Sequence, residues 1–120
     1  MPIKIEHPTI IEAAVNKFKR IEEYIGLVNS KTPDVSVARV VSPPGWIELG
    51  QKPEFTECIV ILKGILQVKT SSEVFFVHAG EVIIVNANER VQYCTPGEDG
   101  AEYISVCAPA FSQDMVHRDE

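Results

Sequence analysis

The stretch Gly45-Trp46-Ile47-Glu48-Leu49-Gly50-Gln51-Lys52-Pro53-Glu54-Phe55-Thr56-Glu57-Cys58-Ile59-Val60-Ile61-Leu62-Lys63-Gly64 decides the fold. Glycine turn signals bound it: Pro43-Pro44-Gly45 on one side and Lys63-Gly64 on the other. Residues 55–62 between them read as a strand, because β-branched and aromatic side chains suit a pleated, half-buried surface. Side chains alternate between the two faces of a strand, so Gln51, Pro53, Phe55, Glu57, Ile59 and Ile61 share one side. A carboxylate such as Glu57 on that apolar side would have its pKa raised by desolvation, which suits general acid–base work.

Working outward, the same pattern recurs. Residues 35–41, 66–70, 74–77, 81–85, 90–94 and 102–108 are further short strand-like runs. Turn signals separate them: Ser71-Ser72, Ala79-Gly80, Asn86-Ala87-Asn88 and Pro96-Gly97-Glu98-Asp99-Gly100. Short strands at such regular spacing predict an antiparallel sandwich or barrel, not a parallel sheet with crossover helices. Before residue 33 the pattern changes. Thr9 with Glu12 has the spacing of a capping box, and Ile11, Val15, Phe18, Ile21 and Ile25 recur at three- and four-residue intervals. Asn16, Lys17, Arg20 and Glu23 fall largely off that stripe, and Gly26 is a stop signal. The expectation is an all-β domain with an N-terminal helical arm: arm 1–33, barrel 34–112, polar tail 113–120.

At 120 residues the chain is long enough for one core and too short for two. A net charge of −6 gives no electrostatic reason to bind nucleic acid, which needs clustered Lys and Arg. No apolar run approaches the ~20 residues that cross a bilayer, so no membrane partner is expected. The N-terminal Met-Pro-Ile-Lys-Ile-Glu-His lacks the basic and apolar regions of a signal peptide, which makes the expected location cytoplasmic. Cys58, Cys94 and Cys107 have no metal-finger or CxxC spacing, and Cys58 and Cys107 sit in apolar runs where cysteine acts as a small hydrophobe.

The framework glycines and Glu57 give the chain a resemblance to the cupin superfamily. Its first motif, G-x5-H-x-H-x3-4-E-x6-G, fits Gly45, Glu57 and Gly64, but Gln51 and Pro53 stand where the two histidines would be. The second, G-x5-P-x-G-x2-H-x3-N, fits Gly80 and the apolar run after it. There Asn86 replaces the proline, Asn88 the second glycine, Val91 the histidine and Thr95 the asparagine. The resemblance covers about residues 35–110. It implies a double-stranded β-helix, or jelly roll, of eight or more strands. It also implies a homodimer, which would cover the arm and the edge strands. Cupins of ethanolamine utilisation that also replace the histidines are similar.

In metal-binding cupins those histidines and the glutamate hold the metal, and only Glu57 carries over. Zinc, iron, nickel and copper prefer imidazole or thiolate, so the expectation is no cofactor or a weakly held divalent metal. Weak candidate ligands are Gln51, Glu57 and, if the tail folds inward, His117; His78 in its turn is expected to be solvent-exposed.

Parity adds Val91, Tyr93 and Thr95 to the inward set. The expected pocket is apolar at depth, with Gln51, Glu57 and Tyr93 as convergent polar groups and Phe55 beside them; Trp46, Glu48 and Arg90 are near enough in sequence to form its rim. Each residue also has a structural reading. Tyr93 is equally a core residue with a satisfied hydroxyl, Arg90 a partner for Glu57 or Glu89, and Trp46 a pin for its loop. No phosphate loop, nucleophile elbow or zinc-protease helix is present. The leading expectation is therefore a cupin-like protein of metabolism that binds a small organic ligand, metal-independent or weakly metal-binding. The alternative is an enzyme: a metal-dependent oxygenase or isomerase with atypical ligands, or a metal-free epimerase-like catalyst using Glu57 and Tyr93.

Overall fold

Strand pairing begins earlier in the chain than the sequence predicts. The computed structural model describes residues 1–13 and 18–119. Nine strands appear among them: β1 Thr9–Ile11, β2 Arg20–Ile25, β3 Ser36–Ser42, β4 Trp46–Ile47, β5 Thr56–Lys69, β6 Val74–His78, β7 Val82–Val85, β8 Gln92–Thr95 and β9 Ala101–Ala108. A 3-10 turn, Gln113–Met115, follows. All pairings are antiparallel, in the order β1-β2-β3-β9-β5-β8-β4, with β6 and β7 also pairing β5. The result is a strongly curled all-β architecture.

The expected N-terminal helical arm is overturned. Thr9, Ile10 and Ile11 pair with Glu23, Glu22 and Ile21, and β2 in turn pairs with β3. Ile11, Ile21 and Ile25 fit a period of two as well as a helical stripe, and β-branched isoleucines favour the strand. A short isolated helix is marginal in water, whereas these strands extend a sheet already built by β3 and β9. Phe18, assigned to the buried stripe, is exposed. Val15, Asn16 and Lys17 lie outside the described residues. No helix of the described residues is long and apolar enough to cross a membrane.

β5 is the spine of the molecule. Its first half pairs with β9 and β7, its second with β6 and β8. The break expected at Lys63-Gly64 is instead a register shift against β9 between Ile61 and Lys63. That bulge bends the strand and inverts its parity: Ile59 and Ile61 are buried before it, Leu66 and Val68 after it. One long strand thereby serves both sides of the barrel. Gly64 sits at the bend with φ +77°.

The main core gathers Val40, Trp46, Ile59, Ile61, Leu66, Val68, Val91, Tyr93 and Tyr103. A smaller cluster of Phe55, Cys107 and Val116 closes the other end. The C-terminal segment takes part in it. Lys52 N donates to Val116 O at 3.2 Å, and Asp119 N donates to Gly50 O at 2.8 Å, so this segment runs beside residues 50–52.

Candidate functional site

A cavity of about 70 Å³ lies inside the curled sheet, with Glu57 on its wall. It exceeds several-fold the ~10–15 Å³ that one water requires. Inward parity along β5, β9, β2 and β8 sets its lining. Phe55, Glu57 and Ile59 come from β5 and the residue before it; Tyr103, Ser105 and Cys107 come from β9. Ile21 of β2, Tyr93 of β8 and, from beyond the strands, Lys19, Glu48, Gln51 and Arg118 complete the part that matters for chemistry.

Glu57 is held at both oxygens. Tyr93 Oη donates to Oε1 at 2.8 Å and Ser105 Oγ donates to Oε2 at 2.5 Å. Its partial exposure is to the cavity. Burial pushes its carboxyl above the usual range, against the opposing pull of the Ser105 and Tyr93 hydrogen bonds and the Lys19 charge. Burial likewise raises Tyr93 well above the ordinary phenol, and the neighbouring Glu57 adds to it, so the hydroxyl stays a donor. Tyr103 and Cys107 are also raised by burial and remain uncharged.

Opposite sits Lys19, its side chain 13% exposed. Its ammonium lies 4.3 Å from the Trp46 ring centroid, a cation–π contact, and 3.9 Å from Glu48 Oε2. Burial lowers its pKa, while Glu48 and Glu57 pull it back up. Arg118 Nε lies 3.9 Å from the other oxygen of Glu48. Glu23 also reaches the wall, but its carboxylate accepts from the backbone N–H of Val28 and Asn29 and so anchors that loop.

The structure therefore brings together Gln51, Glu57, Tyr93, Glu48 and Phe55 among the residues singled out from the sequence. Three others stand apart. Trp46 is buried in the main core and meets the site only through Lys19. Arg90 ion-pairs with Asp119 at the surface, because the C-terminal segment runs past Gly50 there, and it lines no part of the cavity. His117 pairs with Glu54 at 2.6 Å on the exposed side, since φ +53° at this residue carries it away while its neighbour Arg118 reaches the cavity. His78 ends β6 and pairs with Glu81 at the surface. Lys19, Ser105 and Arg118 were not anticipated. Parity along 102–108 could have found Ser105; Lys19 and Arg118 lie outside every strand-like run.

A transition metal does not fit this donor set. The cavity around Glu57 offers the Tyr93 and Ser105 hydroxyls, the Gln51 amide, the Glu48 carboxylate, the Lys19 ammonium and the Cys107 thiol, which burial keeps from ionising, with no imidazole. Among the described residues no group of three His, Cys, Asp or Glu converges.

The two shifted groups make stability depend on pH in opposite senses. Folding tightens the hold of Glu57 on its proton, so its contribution is full below the ordinary value of 4.5 and declines as pH rises toward the folded value. Folding loosens the hold of Lys19, so stability recovers as pH rises from its lowered value toward 10.5. Urea unfolding across pH should show Glu57→Gln lacking the first limb and Lys19→Met lacking the second. A Glu57→Gln variant that loses stability above pH 4.5 as steeply as wild type would contradict the assignment.

No family model matches the sequence. A Myxococcus xanthus protein named endoribonuclease YbeY is 42% identical over 99 residues, which is 82% of this chain but 34% of that protein. The chain thus spans about a third of that relative's length. Among solved structures, Pac13, a nucleoside dehydratase, superposes with a TM-score of 0.75 at 18% identity, covering 100% of this chain and 91% of that one. Streptomyces Pac13 has also been solved with uridine. The cupin domain of Schizosaccharomyces pombe Cnp3 gives a TM-score of 0.68 at 16% identity over 80% of this chain and 65% of that one. At such identities the likeness is one of fold.

Proposed function

From a cupin fold that lacks the family's imidazole ligands, we propose that the cavity is a metal-independent binding site for a small polar organic molecule. One observation carries this reading: Glu57, buried in an apolar barrel, is held by Tyr93 and Ser105 with an edge facing the cavity. A few convergent polar groups on an apolar wall are the usual makeup of a small-ligand site. Thermal-shift screening in the presence of chelator should find stabilisation by at least one class among sugars, nucleosides, amines and small acids. Stabilisation that appears only when a divalent metal replaces the chelator would overturn it.

A second reading has its own support. Lys19 and Glu57 carry opposed shifts in one cavity, the ammonium made readier to give up a proton and the carboxyl readier to hold one. Pac13, matched over the full length of this chain, is a nucleoside dehydratase. An enzyme on this plan would move protons between Lys19, Glu57 and substrate, with Tyr93 and Ser105 positioning Glu57. Turnover that survives chelator and is lost in both Lys19→Met and Glu57→Gln would select it over simple binding.

The homodimer belongs to the same proposal. Val82 and Ile84 are exposed on β7, which among the described residues pairs only with β5, and they sit beside Val60 and Cys58. A second copy would cover this apolar edge. Light scattering should give twice the chain mass, and a monomer at micromolar concentration would contradict it.

A further inference from the structure

Resting on that binding-site reading, we propose that the ligand is a neutral molecule with hydroxyls on adjacent carbons, a sugar or the ribose of a nucleoside, gripped by Glu48 between Lys19 and Arg118. Glu48 is the centre of the argument. Its side chain is 8% exposed and lines the cavity, yet no hydrogen-bond donor reaches its carboxylate among the described residues. Two cations flank it, Lys19 Nζ on Oε2 and Arg118 Nε on Oε1, and both stand off at 3.9 Å. Charge-assisted N–H···O bonds close to about 2.7–2.9 Å, so neither pair is a hydrogen bond. Arg118 Nε is itself buried without a partner. Beside it Gln51, 5% exposed, leaves its Oε1 unpartnered as well. Buried polar groups are nearly always satisfied, so two unpartnered atoms, Gln51 Oε1 and Arg118 Nε, beside a carboxylate held only by loose ion pairs point to a missing molecule.

The kind of incompleteness selects the chemistry. Glu48 needs donors, while Lys19 and Arg118 need acceptors. A hydroxyl is both, and one placed in each 3.9 Å gap would donate to the carboxylate and accept from the cation. The gaps lie on the two oxygens of one carboxylate, which can accept side by side from hydroxyls on neighbouring carbons. A carboxylate ligand has no proton to donate and would face Glu48; an amine would face Lys19 and Arg118. The cavity, with room for about five waters, suits a few hydroxylated carbons.

Calorimetric titration of the full chain with D-xylose, D-ribose, uridine, 2′-deoxyuridine, succinate and ethanolamine tests this. Uridine or a free sugar should bind. The matched probe left without an adjacent pair, 2′-deoxyuridine against uridine or, added to the series, 3-hydroxytetrahydrofuran against cis-3,4-dihydroxytetrahydrofuran, should bind about tenfold or more weaker, as for a hydrogen bond lost at a charged group. Glu48→Gln should weaken the hydroxylated probe to the same degree. Binding by the sugars without uridine assigns the ligand to carbohydrates, and uridine without the sugars to nucleosides. Equal binding of the probe with and without its second hydroxyl overturns the proposal and needs no variant to fold. So does undiminished binding by Glu48→Gln with a wild-type circular dichroism spectrum. Binding of succinate or ethanolamine alone overturns the diol and keeps the pocket; no binding by any class overturns both.

Discussion

Gly64→Ala should be among the most damaging single-methyl substitutions in the chain, lowering stability by about 3 kcal/mol or more. Two costs combine. The left-handed conformation at φ +77° costs an L-residue about 1–2 kcal/mol. A Cβ at this position would also stand 2.1 Å from the Gly100 carbonyl oxygen, which is backbone and cannot rotate away. Gly64 pairs with Ala101 just past the bulge, so any shift strains the β5–β9 pairing that joins the two halves of the barrel. Domains of this size are stable by about 5–15 kcal/mol, so the melting temperature should fall by about 10–20 °C. Gly80→Ala is the internal control. Its φ is +86°, but nothing lies within 4 Å of its would-be Cβ, so only the conformational cost applies. Thermal melts showing Gly64→Ala no worse than Gly80→Ala would remove the close approach from the account.

Gly64 also shows what was legible in the sequence. Its motif position identified it correctly as a framework glycine, while the local rule that Gly after Lys marks a turn split one strand into two. The barrel's bend is a bulge inside β5, and a bulge leaves no local composition signal beyond the glycine itself. Parity was reliable wherever the strand was regular: Phe55, Glu57, Ile59 and Ile61 face inward as alternation requires. The helical reading near the N-terminus failed because isoleucines at 11, 21 and 25 satisfy both periods, and only pairing with β3 decides between them. Half of the site was invisible for a related reason. Lys19 and Arg118 enter the cavity from segments joined to it by long-range contacts, the β1–β2 hairpin and the run of the C-terminus beside Gly50. A charged residue near a chain end reads as solvated surface until the topology shows what it covers.

Glu57→Gln should weaken ligand binding by about 1.5–3 kcal/mol, roughly ten- to more than a hundredfold, the range for a hydrogen bond to a charged or charge-sharing group. The amide keeps the shape and can still accept from one of Tyr93 and Ser105, but its nitrogen faces the other donor. Stability responds differently from affinity. Burial raises the Glu57 pKa, so near neutral pH wild type carries a desolvation cost that the neutral amide avoids, while the misplaced N–H opposes it. The net change in unfolding free energy should therefore be small at pH 7 and should favour the variant more as pH rises. A purely structural Glu57 predicts the reverse ranking, with stability falling and affinity untouched. Calorimetric titration of wild type and variant with whichever ligand the screen identifies, paired with urea unfolding of both at two pH values, separates these outcomes. A ligand held equally well by the variant would show that Glu57 does not anchor the site, and the binding surface would then have to be rebuilt around Glu48, Lys19 and Arg118 alone.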